Sequence, residues 1–110
     1  MNLPNVDRAV IDPTKIRDYL LSTSHPVGRF KAAFFATLGY GADRWEILQD
    51  DFLTVARTGN AIAGQVSSFG VKFEVDGILT GPSGRQGAVR TVWIVRDGEQ
   101  FPRFVTAFPR

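Results

Sequence analysis

The sequence contains no cysteine and only one histidine, His25. Without cysteine there are no disulfide bonds, no thiolate catalysis and no cysteine-ligated metal. A zinc site needs several His, Cys or carboxylate ligands, so one histidine among scattered acids predicts that no metal is bound. The phosphate-binding GxxxxGK[ST], a GxGxxG after a strand, and HExxH are also missing, and we expect no cofactor.

Long apolar runs are missing as well. No segment approaches the roughly twenty apolar residues that span a membrane. Residues 1–8 have no apolar stretch behind a basic start, so they do not resemble a secretory signal. Together with the lack of cysteine, these absences favour a protein of the reducing cytoplasm that has no membrane partner.

The size and composition are those of a single globular domain. The chain has 110 residues, of which 44% are hydrophobic and 22% charged, and nine phenylalanines can fill one core. We predict one domain with three parts: an arm (1–11), a helical half (12–60) and an antiparallel sheet (61–110).

Helix-start signals occur three times in the helical half. Asp12 followed by Pro13 is typical of a first turn, and we expect this helix to end near residue 21 or 22. Ser24 or His25 is the expected cap of a second helix, and a third begins near Asp43. Apolar residues at helical spacing are expected to face the core: Phe30, Phe34, Phe35, Leu38, Trp45, Leu48, Phe52 and Val55.

From residue 61 the apolar period changes to two, which is typical of half-buried strands. Four strands are predicted, near residues 63–67, 71–79, 88–96 and 103–108, with turn residues between them. The expected fold is therefore α+β, with about three N-terminal helices packed on one face of a C-terminal four-stranded antiparallel meander.

The central hairpin gives a prediction of which residues share a face. With its turn centred near Ser83, Val75 would face Val92 and Asp76 would face Thr91. The open face would then carry Lys72, Glu74, Asp76, Thr91 and Trp93. A large aromatic among polar side chains suggests a binding surface, unless the N-terminal arm covers it. A shift of one residue would exchange the two faces.

Basic residues are concentrated in the sheet. Residues 61–110 carry six bases, five of them arginine, against four acids, whereas residues 1–60 carry seven of each. The planar guanidinium suits phosphate, so this excess is compatible with an anionic partner such as RNA. On charge alone, ordinary solubilising charge is the favoured interpretation.

His25 marks a candidate catalytic site because it precedes the second helix. Helix N-termini attract anions, and Arg29 and Lys31 follow within about two turns. Together these three could hold a phosphodiester, with His25 as general acid or base. In the alternative interpretation, His25 only caps the helix and Lys31 is solvated. An active site of this kind should lie where the start of the second helix approaches the sheet.

Three motifs resemble a bacterial family of small uncharacterised proteins that also occur as C-terminal domains of polymorphic toxins. They are HPxGxxKAxFF from His25, VDGxLxGPxGR from Val75 and VRTVW from Val89. The layout is also similar to the barnase–EndoU–colicin–RelE nuclease fold, whose members cleave RNA without metal through attack of the ribose 2′-hydroxyl on the adjacent phosphate.

This resemblance implies a role for six residues of the chain, and the patterns described above add Arg29 and Asp76 as two further candidates. The catalytic candidates are His25 as acid/base, Lys31 and Arg90 as phosphate stabilisers, and Thr91 and Thr106 as hydroxyls. Arg29, Asp76 and Trp93 are candidate substrate contacts, with Trp93 stacking on a base. The second histidine of many such nucleases is missing, so the proton donor is unassigned.

The resulting hypothesis is a metal-independent RNA-cleaving toxin with a small antitoxin or immunity-type protein as its partner. Two alternatives remain at this stage. One is a non-catalytic protein-interaction module, and the other is an RNA-binding protein without catalysis. The oligomeric state is not predicted.

Overall fold

The computed structural model describes all of residues 1–110, and it confirms the α+β fold. A 3₁₀ turn (Val6–Arg8) precedes three helical elements and four strands. These are α1 (Pro13–Lys15, continued as a π-helical turn over Ile16–Leu20), α2 (Gly28–Thr37), α3 (Trp45–Thr58, preceded by a 3₁₀ turn over Ala42–Arg44), β1 (Ala61–Ser67), β2 (Gly70–Thr80), β3 (Gln86–Arg96) and β4 (Pro102–Pro109). The strands form one antiparallel sheet in the order β1-β2-β3-β4.

The first two helix starts follow the predicted capping chemistry, whereas α3 and the turn before it begin without a side-chain cap. The Asp12 carboxylate accepts a hydrogen bond from the Thr14 amide at 3.0 Å, which fixes the beginning of α1. The helix α2 begins at Gly28, slightly later than Pro26 suggested, and the His25 side chain caps it. The stripe of α3 is confirmed, since Leu48, Phe52 and Val55 are buried.

The predicted core face of α2 is confirmed at Phe35 and Leu38 and is wrong at Phe30. Phe30 is 69% exposed, whereas Phe34 is partly buried against the core and Gly28 and Ala32 complete the buried side of the helix. The reason is the close approach of α2 to α1: a β-carbon at Gly28 would lie 2.0 Å from the Tyr19 carbonyl oxygen. The side of α2 that holds Gly28 must therefore face α1, which turns Phe30 outwards.

The predicted register of the central hairpin is wrong by one residue. Thr80 pairs with Gln86 across a five-residue loop, so that Phe73 faces Trp93 and Val75 faces Thr91. The loop has an odd length because the Gly81 amide bonds to the Arg85 carbonyl, whereas the predicted pairing needs an even loop. Every β3 side chain consequently changes face.

One hydrophobic core fills the space between the helices and the sheet. At its centre the Phe52 ring of α3 stacks on Phe104 of β4 at 5.2 Å, and Trp93 meets Phe104 edge-on at 5.3 Å. The N-terminal arm begins beside Ala61 at the start of β1, buries Leu3 in the core and ends at the outer edge of β4, where Val10 pairs in parallel with Arg103. It therefore covers a sheet edge rather than the open face. No helix has the length and apolar character needed to cross a membrane.

The glycine-rich hairpin loop serves the packing of α2. The Ser83 amide donates to the Leu38 carbonyl at 3.0 Å, beyond the last turn of α2. A β-carbon at Gly81 would lie 2.0 Å from that same Leu38 oxygen. The GPxG sequence thus lets the β2–β3 loop satisfy a carbonyl at the C-terminal end of α2, and it holds this helix against the sheet.

Candidate functional site

The start of α2 meets the last strand through Lys31. Its Nζ donates a hydrogen bond to Thr106 Oγ1 at 3.0 Å. The same ammonium lies 5.2 Å from the ring centre of Tyr19 and 5.9 Å from that of Phe108. Two aromatic faces and one hydroxyl therefore hold a cation that makes no ion pair with a carboxylate.

His25 lies next to this pair through Tyr19. The two rings meet edge to face, with their centres 4.8 Å apart. His25 Nδ1 accepts hydrogen bonds from the amides of Val27 at 3.1 Å and Gly28 at 3.0 Å. In the neutral ring this assigns the proton to Nε2, which has no protein partner and remains a donor for a ligand.

These contacts define one site, the α2–β4 cluster: Tyr19, His25, Lys31, Thr106 and Phe108. The prediction from sequence included three of its members but missed Tyr19 and Phe108. A signal for Phe108 was present, because it lies two residues after Thr106 and so shares its strand face. Tyr19 carried no signal of its own, since its role depends on how α1 folds back on α2.

Arg90 lies on the open face, one strand away from the cluster. Its Nε is 2.8 Å from both Glu74 Oε2 and Asp76 Oδ1, and its Nη2 donates to Asp76 Oδ2 at 3.1 Å. Arg110 also donates to Asp76. The hydrogen bond from Arg90, with its positive charge, holds the pKa of Asp76 below the ordinary 3.8. Arg90 and Asp76 therefore form an ion pair with each other.

The placement of Thr91 and Trp93 on the open face is wrong, because the register shift turns both towards the helices. Each is 0% exposed. The Thr91 hydroxyl donates to the Val75 carbonyl at 2.7 Å and accepts from Trp93 Nε1 at 2.8 Å. A buried indole whose N–H is already bonded cannot stack on a nucleobase in this structure.

Arg29 is exposed on α2 and its guanidinium lies over the Phe30 ring at 4.9 Å. It makes no ion pair, and it follows directly after the two amides that His25 caps. Of the eight residues proposed for the site, the structure therefore brings His25, Lys31 and Thr106 together. Arg29 lies beside them in the chain, Arg90 and Asp76 form ion pairs, and Thr91 and Trp93 are core residues.

A family model described as a domain of unknown function, DUF6883, matches residues 2–110. The chain belongs to the DUF6883 family. Its fold is similar to that of a chain in the contact-dependent growth inhibition toxin–immunity protein complex from Klebsiella pneumoniae 342, with a TM-score of 0.72 and 19% sequence identity. The match covers 96% of each chain. No curated protein matches the chain in sequence.

The largest cleft of this DUF6883 chain, about 720 Å³ in volume, lies beside the segment that leads to His25. Three hydroxyl side chains, Ser22, Thr23 and Ser24, line it on one side, and Ala32 of α2 lines the other. Its other polar lining comes largely from Arg17 and Asp18, which are paired at 2.8 Å. No three His, Cys, Asp or Glu side chains lie together in a way that could hold a metal ion.

Proposed function

We propose that this DUF6883 chain is a metal-independent RNA-cleaving toxin domain that a small immunity-type protein neutralises. The observation that carries the proposal is the α2–β4 cluster, where the Lys31 ammonium bonds to the Thr106 hydroxyl at 3.0 Å and shares Tyr19 with His25. A cation, a hydroxyl and an imidazole in one place are the groups that this chemistry uses. The fold shared with a chain of a toxin–immunity protein complex supports a role on one of the two sides of such a pair, toxin or immunity-type protein.

In the proposed reaction the 2′-oxygen of a ribose attacks the neighbouring phosphorus. A P–O2′ bond forms, the P–O5′ bond breaks, and a 2′,3′-cyclic phosphate remains. Negative charge grows on the phosphorus-bound oxygens, and Lys31 is the group of the cluster that stabilises it. Because Lys31 is already held by Thr106 and two aromatic faces, little reorganisation is needed when that charge develops.

His25 supplies the acid/base group, and its cap restricts how it acts. With Nδ1 accepting two amide hydrogen bonds, the neutral ring can donate an Nε2–H hydrogen bond to a phosphate oxygen but cannot transfer a proton. To accept the 2′-proton at Nε2, the ring must carry its other proton on Nδ1, which breaks both cap bonds, and the imidazolium that results then gives a proton to the leaving 5′-oxygen. Proton transfer by His25 therefore requires the first turn of α2 to loosen.

The test separates the cap from the chemistry. Purified wild type, His25→Ala and His25→Asn are incubated with total RNA in EDTA, and the RNA ends are analysed for cyclic phosphate. Asparagine is a good helix cap that cannot transfer a proton, so His25→Asn should melt close to wild type and fail to cut. The proposal is wrong if wild type leaves the RNA intact, or if His25→Asn cuts as fast as wild type.

A second candidate function is a non-catalytic interaction module, and the edge strand β1 favours it. Ile62, Val66 and Phe69 are 58%, 75% and 76% exposed, and no charge or proline lies between Asn60 and Val71. The β1 strand has one of the usual edge protections, a register shift between Ala63 and Val66, but it lacks the charges and proline that most edges carry. An edge with exposed apolar side chains can accept a partner strand. A module of this kind would leave RNA uncut, and Val66→Lys would weaken its complex with an immunity-type partner.

A further inference from the structure

Positive side chains follow β4 along the line where the N-terminal arm and α1 cover its edge. Lys31 binds Thr106, and Lys15 Nζ donates to the Val105 carbonyl at 3.3 Å. Further along, the guanidiniums of Arg103 and Arg8 lie over the Phe101 ring at 5.0 and 5.4 Å. We name this line the β4 seam (Arg8, Lys15, Lys31 and Arg103).

Most of the charge on the β4 seam is not neutralised by the protein. Arg8, Lys15 and Lys31 make no ion pair with a carboxylate, and Arg8 is exposed. Only Arg103 is paired, through two hydrogen bonds to Glu99 at 2.8 and 2.9 Å. The seam therefore presents a net positive field to solvent although the whole chain carries only +2.

A small cleft lies along the β4 seam, and most of the charged side chains that line it are positive. It measures about 90 Å³, and Lys15, Arg96 and Arg103 line it against a single acid, Asp12. The Asp12 carboxylate is occupied in capping α1, where it accepts from the Thr14 amide and hydroxyl. Arg96 makes no ion pair either, so the cleft adds one more free cation to the seam.

The length of the seam suits a polyanion rather than a single phosphate. From Phe101 to Thr106 a strand advances about 3.3 Å per residue, or roughly 16 Å in all. A nucleic-acid strand presents one phosphate about every 3.4 Å along a helix axis, and further apart when it is extended. Several successive phosphates can therefore contact the seam while another lies at Lys31.

We propose that the β4 seam binds the sugar–phosphate backbone of single-stranded RNA and leads it into the α2–β4 cluster. This inference rests on the proposed RNA cleavage, and it adds where the substrate lies and which residues hold it away from the reacting bond. The seam is expected to bind RNA without base specificity, because its ammonium and guanidinium groups lie on a strand edge and contact phosphates.

Binding is measured by fluorescence anisotropy with a labelled 2′-O-methyl oligouridylate, which lacks the attacking hydroxyl and stays intact. Each Kd is followed as a function of salt for wild type, Arg8→Gln and Arg8→Gln/Lys15→Gln. The Arg8 side chain is exposed and forms no hydrogen bond, and the backbone bond from its amide to Asn5 survives the substitution, so its variant should fold normally even if the loss of Lys15 disturbs α1. Arg57→Gln is the matched control, since Arg57 is an exposed arginine of α3 that lies outside the β4 seam and makes no ion pair.

The slope of log Kd against log salt should fall by about 0.7 for each lost phosphate contact, and Arg57→Gln should keep the wild-type slope. The seam is refuted if Arg8→Gln and the double variant keep that slope, or if Arg57→Gln lowers it equally. Cleavage of total RNA, assayed in parallel, distinguishes the two proposals. Wild type that cuts RNA while the seam variants keep the wild-type slope overturns the seam alone, whereas wild type that neither binds nor cuts overturns both.

Discussion

The Lys31 ammonium and the Thr106 hydroxyl lie 3.0 Å apart although 75 positions separate them in the chain. One belongs to α2 and the other to the last strand, so their hydrogen bond forms only when the helical half is packed on the sheet. Any chemistry of the α2–β4 cluster therefore depends on the complete fold, and a damaged interface between α2 and β4 should inactivate the site without altering its residues.

Replacing Lys31 tests the electrostatic part of the proposed reaction. We expect Lys31→Met to lower the rate of RNA cleavage by roughly 10²–10³, the usual loss when one group that stabilises a developing anion is removed. Thr106→Val should act through the same pair, so the double variant should lose less than the product of the single losses. Lys72→Met removes an exposed lysine from β2 and should cut normally. A Lys31→Met protein as active as wild type would contradict the assignment.

Gly28 is the residue on which the approach of α2 to α1 depends. In Gly28→Ala the new methyl would lie 2.0 Å from the Tyr19 carbonyl oxygen, so backbone must move. We expect a loss of about 1–3 kcal/mol in the free energy of unfolding, as for other overpacked sites, together with weaker contact between Tyr19 and His25. Gly64→Ala in β1, where the methyl would meet the Lys72 backbone at an ordinary 3.4 Å, should change the stability little. Thermal melts of the two variants compare them directly, and equal melting temperatures would show that α1 and α2 do not need this approach.

The periodicity of apolar residues was enough to predict the fold, because the fold follows from which faces of the helices and strands are buried. Three helical stretches with capping residues, followed by alternating strands, leave few ways to bury one face of a four-stranded meander. The strand register could not be predicted in this way, because it depends on the Gly81–Arg85 hydrogen bond, which gives the hairpin loop an odd number of residues. A pattern such as AVRTVWIVR has apolar or large residues on both faces, so its own alternation does not reveal the error.

The candidate site shows the same division between local and tertiary information. His25 could be proposed because its position before a helix is visible in the sequence, and Lys31 because it follows within the helix. Their junction with Thr106 was expected only in general terms, as a place where α2 approaches the sheet. Tyr19 lies in the site because Gly28 has no side chain and lets the α1 backbone pack closely against α2. A contact between two helices cannot be predicted from the residue spacing within either helix.

Thr91 and Trp93 should affect stability and not catalysis. Thr91→Val leaves the indole N–H of Trp93 without a partner in a buried place, and an unsatisfied buried donor costs about 1–3 kcal/mol. Trp93→Phe removes that donor but leaves a smaller ring against Phe104. Chemical denaturation should show a loss of stability in both, while the rate of RNA cleavage per folded molecule stays at the wild-type value. If a variant of Thr91 or Trp93 folds normally and fails to cut RNA, that residue belongs to the catalytic site.

The Asp76–Arg90 pair predicts how stability responds to acid. Because the hydrogen bond from Arg90 lowers the pKa of Asp76 in the folded protein, folding favours the ionised carboxylate. Its contribution to the free energy of unfolding is therefore complete above the unfolded-state pKa of about 3.9 and is lost as the pH falls through the lower, folded value.

Asp76→Asn should then be less stable than wild type at neutral pH, by about 1 kcal/mol or less for this partly exposed pair. The difference should shrink towards zero once the pH has fallen below the folded pKa of Asp76, because the wild-type carboxyl is then protonated too. Urea denaturation of both proteins across this range measures it, with Asp50→Asn, an exposed residue without an ion pair, as the control. A difference that stays constant with pH would mean that Asp76 acts through its shape or neutral hydrogen bonds instead of its charge.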